Sequence, residues 1–348
     1  MIRKQAIGMA ILAAVLFGTS APLSKLLLEQ IPPLLMAALL YLGAGLGMLA
    51  VNAGRLLGKR QQLEARLTKR ERPAVVGMIL LDSAAPIFLM LGLKLTTAES
   101  VALLNNFEIV ATSLIALFFF REAIGRRMWL AIFLITMASV LLSIGDIGQI
   151  RMMPGAVFVL LASICWGLEN NLTRVLSLKD PLQIVVIKGF GSGFSSLLIA
   201  FAMREIGGSW PQVLLALLLG FVAYGLSIFF YIRAQRELGA ARTSAYYAAA
   251  PFIGVLLAWL VLREAVTGTF LAALLIMGLG TYLAVSEKHS HTHAHEAFAH
   301  EHKHSHQDGH HTHTHEPAVS GEHSHLHTHE AVVHRHAHTP DLHHRHKH

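Results

Sequence analysis

Apolar stretches of membrane-spanning length recur along residues 1–286 and are separated by charged residues, prolines and glycines. A transmembrane helix needs roughly 20 predominantly apolar residues. The pattern predicts ten helices, near residues 6–28, 32–53, 74–93, 98–120, 128–145, 155–176, 182–202, 212–232, 241–262 and 267–286. The first stretch is longer than the apolar region of a signal peptide and more spans follow it, so we interpret it as the first transmembrane helix.

The apolar pattern stops at Lys288, and His, Glu, Thr, Ser and Ala dominate the remaining residues. All 23 histidines lie in residues 289–348. Such a segment buries too little apolar surface to offset the entropy lost on ordering, so it is expected to be a disordered extension. The predicted fold class is therefore an all-α polytopic membrane protein with a disordered C-terminal tail.

Composition supports a membrane protein, with 54% hydrophobic and 14% charged residues. Residues 1–288 contain 24 Lys and Arg against 14 Asp and Glu, and the excess falls mainly in the connections of one side. Because cytoplasmic loops are enriched in Lys and Arg, this predicts a multi-pass protein of the inner (cytoplasmic) membrane with cytoplasmic N- and C-termini, and it gives no reason to expect nucleic-acid binding. The basic residues of that side are Arg3, Lys4, Arg55, Lys59, Arg60, Arg66, Lys69, Arg70, Arg72, Arg121, Arg126, Arg127, Lys179, Arg233, Arg236 and Lys288.

The two halves of the apolar region resemble each other. FGTSAPLSK (Phe17–Lys25) aligns with WGLENNLTR (Trp166–Arg174), and FFFREAIG (Phe118–Gly125) aligns with VLREAVTG (Val261–Gly268). Five predicted helices separate the copies, so the second half inserts in the opposite orientation, as in secondary transporters with inverted repeats. Chance similarity between apolar segments is the alternative, but the matching order and spacing argue against it. The predicted domains are a first five-helix repeat (1–147), a second five-helix repeat (148–288) and the tail (289–348).

These motifs resemble the EamA-type transporters of the drug/metabolite transporter superfamily. An aromatic-Gly pair opens each repeat, and Pro251 precedes Glu264 at the spacing typical of that family. In the first half, Ile109 occupies the corresponding position before Glu122. The resemblance implies gradient-driven transport of amino acids, nucleobases, sugars, drugs or other small metabolites. Consistent with secondary transport, the sequence contains no ATP-binding motif.

Three acidic residues lie well inside predicted spans, away from the span ends: Asp82, Glu108 and Glu169. A carboxylate in hydrocarbon costs at least a few kcal/mol, so such groups usually face a bundle interior and mark solute or ion pathways. Asp82 and Glu108 are expected at similar depth on adjacent helices, where they share a proton or bind a cation. Asn105 is expected to add an oxygen on the face of Glu108, and Asn170 is placed in the same pathway.

The alternative role of these acids is to pair with Lys25, Lys188 or Arg174 and hold helices together. Lys188 is expected to extend towards the cytoplasmic interface with its charge in water. The acids of the two Arg-Glu motifs, Glu122 and Glu264, lie at predicted helix ends and are interpreted as structural.

Aromatic and small residues complete the candidate set. Trp166 and Tyr246 are assigned to the pathway, although interfacial anchoring is the commoner role of Trp and Tyr in membranes and applies equally to Tyr224 and Tyr247. Cys165 is expected to be a buried, inert thiol rather than a metal ligand. Small-xxx-small spacing predicts close helix packing at Gly43, Gly47, Gly189 and Gly193.

The tail repeats histidine at every second position, with glutamate nearby. Neutral imidazoles bind Ni²⁺, Zn²⁺, Co²⁺ and Cu²⁺, so the tail is predicted to bind such ions, while the membrane region requires no cofactor. A pH-responsive tether to an anionic membrane is the alternative. The predicted metal ligands are His289, His291, His293, His295, His311, His313, His315, His323, His325, His327 and His329.

The leading interpretation is a secondary transporter, acting as an exporter of a small metabolite or drug, with a metal-binding cytoplasmic tail. A transition-metal efflux transporter is the second interpretation, and a membrane-anchored metal buffer or sensor is the third. No catalytic constellation appears in the loops, so an enzyme is not expected. The expected partners are a small-molecule or ion substrate, the lipid bilayer, a divalent transition metal and, as a further option, a second copy of the chain in a homodimer.

Overall fold

The structure is a computed structural model that describes residues 2–57, 67–120, 125–146, 149–173, 176, 179–238, 243, 246–263, 266–286, 289–294, 298–304, 323–329 and 333–338.

Helices form nearly all of the described chain between residues 2 and 286. A 3-10 helix (Lys69–Glu71) precedes α4, and a π-helical segment (Gly220–Leu226) joins α10 to α11. The α-helices are α1 (Ile2–Gly18), α2 (Ser20–Leu27), α3 (Pro33–Leu57), α4 (Arg72–Leu95), α5 (Ala98–Leu104), α6 (Phe107–Phe120), α7 (Arg126–Ser143), α8 (Pro154–Thr173), α9 (Pro181–Ala202), α10 (Trp210–Leu219), α11 (Ser227–Leu238), α12 (Ala250–Leu262) and α13 (Gly268–Val285).

The helices carry large apolar side chains on their outer surface, as a protein surrounded by lipid requires. Phe118 and Leu275 are each 74% exposed, and Leu80 is 64% exposed. Within the described residues, eight helical segments are long and apolar enough to cross a membrane. They are Lys4–Leu27, Pro33–Arg55, Arg72–Leu95, Arg126–Ser143, Pro154–Leu172, Pro181–Ala202, Trp210–Ala234 and Gly268–Val285.

Two of the ten predicted spans are not continuous long helices in the described chain. The segment predicted at 98–120 is divided into α5 and α6 at Asn105 and Asn106. The Asn106 side chain donates to the Leu103 carbonyl (3.2 Å), so it competes with the helical backbone for that acceptor. In the segment predicted at 241–262, the helical residues Tyr246 and Tyr247 are followed by a turn at residues 248–249, and α12 then begins at Ala250, next to Pro251.

The first predicted span contains a further break, at Thr19, between α1 and α2. The Thr19 hydroxyl donates to the Leu16 carbonyl at 2.7 Å. Three residues later, Pro22 has no N–H to donate to the carbonyl of Gly18. Breaks of the helical backbone therefore occur within α1–α2 and between α5 and α6.

Glycines allow α3 to lie against α9 and the α10–α11 segment. A side chain on Gly189 would collide with the backbone of Gly45, and one on Gly43 with the backbone of Leu217. A Cβ on Gly193 would lie 2.8 Å from the Leu42 side chain. The prediction that these glycines permit close helix packing is confirmed.

The tail contains strands where the sequence predicts a disordered extension. Strand β3 (His289–Ala294) pairs antiparallel with β6 (Val333–His338), and β4 (Phe298–His304) pairs with β5 (His323–His329). Two further short strands, β1 (Ile144–Asp146) and β2 (Gln149–Met152), precede α8. The disorder prediction considered only how little apolar surface the tail buries. Histidine at every second position also has the two-residue period of a β-strand, which that argument left out.

Candidate functional site

A charged cluster lies inside the helical bundle, centred on Lys188. The Lys188 Nζ lies 3.0 Å from the Asp82 Oδ2 and 3.0 Å from the Glu169 Oε1. The Tyr41 hydroxyl donates to the Asp82 Oδ1 at 2.9 Å. The four side chains come from α3, α4, α8 and α9 and thus join four helices at one point.

The charged groups of this cluster are shielded from solvent. Asp82 is 0% exposed, Glu169 4% and Lys188 8%. The expected extension of Lys188 towards the interface is therefore wrong. Its ammonium lies between two carboxylates, and both ionic contacts would be lost if the side chain reached for water.

Local sequence places Asp82 at an irregular point of α4. Pro86 lies inside the helix four residues after Asp82. A proline ring has no N–H for the carbonyl four residues earlier and clashes with it. The Asp82 position therefore combines a buried carboxylate with a main-chain carbonyl that lacks its usual helical donor.

A second polar pair joins α6 to α8. The Asn170 Nδ2 donates to the Glu108 Oε1 at 2.6 Å, and the Asn171 Nδ2 donates to the Thr112 carbonyl at 3.2 Å. Glu108 is half-buried and Asn170 is exposed. The expected pairing of Asp82 with Glu108 is not seen, because Lys188 instead links Asp82 to Glu169.

A small cavity of about 10 Å³ lies beside the helix breaks. Its lining includes Phe17, Ser20, Asn105 and Pro251. The Asn105 Oδ1 is buried and has no hydrogen-bond partner among the described residues. The helix is broken after Asn105, and the Asn105 side chain lines the cavity, whereas Glu108 does not. The two residues therefore do not share one helix face, although the sequence had predicted that they would.

Aromatic rings pack beside the charged cluster. The Phe17 ring centroid lies 6.3 Å from that of Trp166 and 5.8 Å from that of Tyr224, and the Tyr41 and Tyr224 centroids are 5.3 Å apart. Trp166 is 7% exposed and Tyr224 is 1% exposed. Both rings are thus in the protein core and are not interfacial anchors. The Ser20 hydroxyl donates to the Tyr224 hydroxyl at 3.3 Å, linking the rings to the cavity.

The remaining aromatic candidates have different positions. Tyr247 joins the buried rings, with its centroid 5.8 Å from that of Phe17 and 4.9 Å from that of Tyr231. Tyr246 packs instead against a separate cluster that includes Ala6 and Ala234. Of the two aromatic residues assigned to the pathway, the structure therefore brings Trp166, and not Tyr246, to the group of rings around Phe17.

Lys25, one of the expected partners of the acids, contacts the end of α4. Its Nζ donates to the carbonyls of Leu93 and Thr96, both at 2.6 Å. These carbonyls are at the C-terminal end of the helix, where a cation is favoured. Tyr41 was not among the residues predicted from the sequence. Lys188 was predicted to reach the cytoplasmic interface, and its contact with the acids was only the alternative. A single lysine in an otherwise apolar helix, together with acids that need a counterion, was the available signal.

Polar contacts also join the end of α3 and the start of α4 to the start of α9. An Arg55 Nη1 lies 4.0 Å from Asp180 Oδ2, and the Lys179 Nζ lies 3.9 Å from Glu71 Oε1. Partial burial acts to raise the pKa of Glu71, but hydrogen bonds from the Thr68 side chain and backbone outweigh it, and the pKa lies below its ordinary value. These contacts join the start of α4, the helix that carries Asp82, and the end of α3 to the start of α9, the helix that carries Lys188.

Among the residues that the structure describes, no group of three His, Cys, Asp or Glu side chains is arranged to hold a metal ion. Four of the predicted tail ligands, His295, His311, His313 and His315, lie outside the described residues, as do Arg174, Glu122 and Glu264. The half-buried Cys165 is a free thiol.

Membrane-crossing helices around a buried charged cluster define a multi-pass membrane protein with a polar internal site, and comparison with known proteins agrees. Residues 4–144 and 153–286 each match the EamA-like transporter family. An uncharacterized transporter of Methanothermobacter thermautotrophicus is 30% identical over 270 residues, which cover 73% of this chain and 78% of that protein. The chain belongs to the EamA-like transporter family and is a membrane transporter rather than an enzyme.

The fold also resembles that of a protein of known crystal structure. The two chains are 20% identical and superimpose with a TM-score of 0.57, over 80% of this chain and 95% of the other. At this level of identity the likeness concerns the fold alone.

Proposed function

We propose that this chain is a secondary transporter that exports a small metabolite or drug across the cytoplasmic membrane, with both termini in the cytoplasm. The carrying observation is the Lys188 ammonium held between Asp82 and Glu169 inside a bundle of membrane-spanning helices. Charged groups at such positions are expensive and usually mark solute or ion pathways. The cluster, the Glu108–Asn170 pair and the cavity at Asn105 form the proposed pathway.

Ten spans in two inverted repeats are part of this proposal, and helix packing supports them. The second helices of the halves, α3 and α9, pack on each other, as do the fifth helices, α7 and α13. The third helix of the first half, α4, packs on the first helix of the second, α8. In the same way, α1, in the first span of the first half, contacts α11, in the third span of the second half. Exchanging the halves leaves these contacts unchanged, as a pseudo-two-fold axis requires.

The helix interruptions support the placement of the pathway. The predicted spans at 98–120 and 241–262 correspond to each other in the two halves, and each contains a turn among its described residues, at 105–106 and at 248–249. Interrupted helices at corresponding positions of inverted repeats indicate the binding region of secondary transporters. The described parts of these spans, α5 and α12, pack together beside Asn105 and Pro251.

Transport of a transition metal is the second candidate, favoured by the histidines of residues 289–348. The tail is proposed to bind Ni²⁺, Zn²⁺, Co²⁺ or Cu²⁺ on the cytoplasmic side. The charged cluster fits such a cargo less well, because an ammonium already lies between the two carboxylates. Borderline metals also prefer nitrogen and sulfur ligands, whereas residues 1–288 contain no histidine and only Cys165. A metal-regulated transporter of an organic solute therefore accounts for more of the observations.

Two assays on one set of variants distinguish these functions. The variants are the intact chain, a truncation after Lys288 and Glu108→Gln. Metal content is measured in metal-stressed cells, and flux of organic solutes is measured in proteoliposomes. We expect an organic solute to be transported by the intact and truncated chains and not by Glu108→Gln. If the intact chain lowers the metal content of the cells and Glu108→Gln does not, metal efflux is established instead. If the effect on metal content is lost with the tail but is indifferent to Glu108→Gln, it points to a metal buffer.

A further inference from the structure

The charged cluster has the ion-pair geometry of a receptor for a primary ammonium group. One nitrogen, the Lys188 Nζ, lies 3.0 Å from an oxygen of each carboxylate. An ammonium donates three hydrogen bonds and accepts none. The two carboxylates come from different helices, Asp82 on α4 and Glu169 on α8, so the group between them is bound by two separate elements.

Aromatic residues accompany both carboxylates: Tyr41 contacts Asp82, and Trp166 lies on the helix that carries Glu169. Trp166 lies three residues before Glu169 on α8, so the two side chains share a helix face. On the other side, Tyr41 donates to Asp82, and its ring packs on Tyr224. Phe17 touches both Trp166 and Tyr224 and lines the cavity next to Asn105. An ammonium bound at the carboxylates would therefore have an aromatic body packed beside it, where ring faces also favour a cation.

We infer that the cargo is a primary amine with an aromatic or apolar body, whose ammonium group binds Asp82 and Glu169 in exchange with the ammonium of Lys188. Lys188 then acts as an internal competitor that keeps the carboxylates partnered when no cargo is bound. This inference rests on the transport function proposed above and specifies the class of its substrate. It also explains why a lysine, which is costly to bury, lies at the centre of the bundle.

Four matched probes test the inference on the full-length protein in lipid nanodiscs. Phenethylammonium is the cationic probe, phenethyl alcohol the neutral one, 3-phenylpropanoate the anionic one and trimethylated phenethylammonium a cation without N–H donors. Calorimetric titration is expected to show phenethylammonium binding at least about tenfold more tightly than the others, because only it donates charge-assisted hydrogen bonds. Equal or tighter binding of the carboxylate or the trimethylated cation overturns the inference, and so does failure of phenethylammonium to bind.

Removal of the internal competitor gives a second, independent test. In Lys188→Met, Asp82 and Glu169 lose their shared ammonium, and phenethylammonium is expected to raise the thermal midpoint of this variant more than that of the wild type. The alcohol should have no such effect. In the Asp82→Asn and Glu169→Gln variants the preference for phenethylammonium should fall, and the two variants check each other if one fails to fold. Equal rescue of Lys188→Met by amine and alcohol would contradict the exchange.

Solute flux separates failure of this inference from failure of the proposed function. Proteoliposomes containing the intact chain are loaded with each probe, and with neutral and anionic metabolites, and counterflow is measured. Flux of an anionic or neutral solute without flux of amines leaves the transporter proposal intact and removes the substrate class. Absence of flux for every solute contradicts both.

Discussion

The Asn170 side chain on α8 donates a 2.6 Å hydrogen bond to the Glu108 carboxylate on α6. The donor is a neutral amide, so this pair differs from the neighbouring cluster, where the Lys188 ammonium contacts Asp82 and Glu169. The hydrogen-bond partner of Glu108 therefore carries no charge that would neutralise an ionised carboxylate. The property of Glu108 to test is therefore whether transport requires its charge or only its size and hydrogen bond.

Glu108→Gln removes the charge and keeps the size and an amide oxygen that can accept from Asn170. If the charge of Glu108 is used in coupling, transport should be lost while the thermal midpoint changes little. The measurement is counterflow in proteoliposomes together with thermal unfolding in nanodiscs. Asn170→Leu, which removes the donor and leaves the charge, is the matched control and should reduce transport less. Wild-type transport by Glu108→Gln would show that the residue only joins helices.

Lys188→Met should destabilise the protein by about 3–5 kcal/mol, because it leaves two buried carboxylates without their shared cation. Neutralising the acids in the same chain, as Asp82→Asn/Glu169→Gln/Lys188→Met, should restore much of that stability. Reversible unfolding in mixed micelles measures both effects. If the single variant is as stable as the wild type, the cluster is not a tightly coupled ionic unit.

Gly189→Ala should destabilise the protein by about 1–3 kcal/mol through overpacking, since a Cβ there collides with the backbone of Gly45. Gly54 provides the control. It also lies in a helix, α3, but a Cβ at that position meets nothing within 4 Å. Gly54→Ala is expected to be neutral or stabilising by up to about 1 kcal/mol, because alanine favours the helix. Similar thermal midpoints for the two variants would argue against close packing of α3 on α9.

The tail is expected to bind Cu²⁺ or Ni²⁺ only while its imidazoles are neutral. Equilibrium dialysis at about pH 7.5 and about pH 5.5 spans the ordinary histidine pKa of about 6.5. Binding should be strong at the higher pH and should collapse at the lower one, because the coordinating nitrogens become protonated. The truncation after Lys288 should lose this binding at both values. Metal binding that persists in the truncated chain would place the site elsewhere.

The membrane-spanning helices were predictable because a long apolar run in a lipid bilayer must satisfy its own backbone hydrogen bonds, and a helix does so within one segment. The close approach of Gly189 to Gly45 was likewise predictable as a packing preference, because small residues spaced four apart allow two backbones to meet. Interruptions were harder to locate. Asn105 and Asn106 lie in an apolar stretch that has the length of one continuous membrane-spanning helix.

Only part of the charged cluster could be predicted from the sequence. Asp82 and Glu169 were recognised because a buried acid needs a reason to be there. Their shared partner was not, since the position of Lys188 relative to them depends on how α9 packs against α4 and on the location of α8. Tyr41 belongs to a fourth helix and has no distinguishing local pattern, so only the tertiary structure connects it with Asp82.

The most direct test of the central claim is solute counterflow by the neutralised variant Asp82→Asn/Glu169→Gln/Lys188→Met beside the wild type, both reconstituted at equal density. If the cluster is the transport site, the wild type should exchange a primary amine across the vesicle membrane, and the folded variant should not. Exchange of the amine by the variant at the wild-type rate would contradict the account, because it would show that the buried charges serve only to hold the helices together.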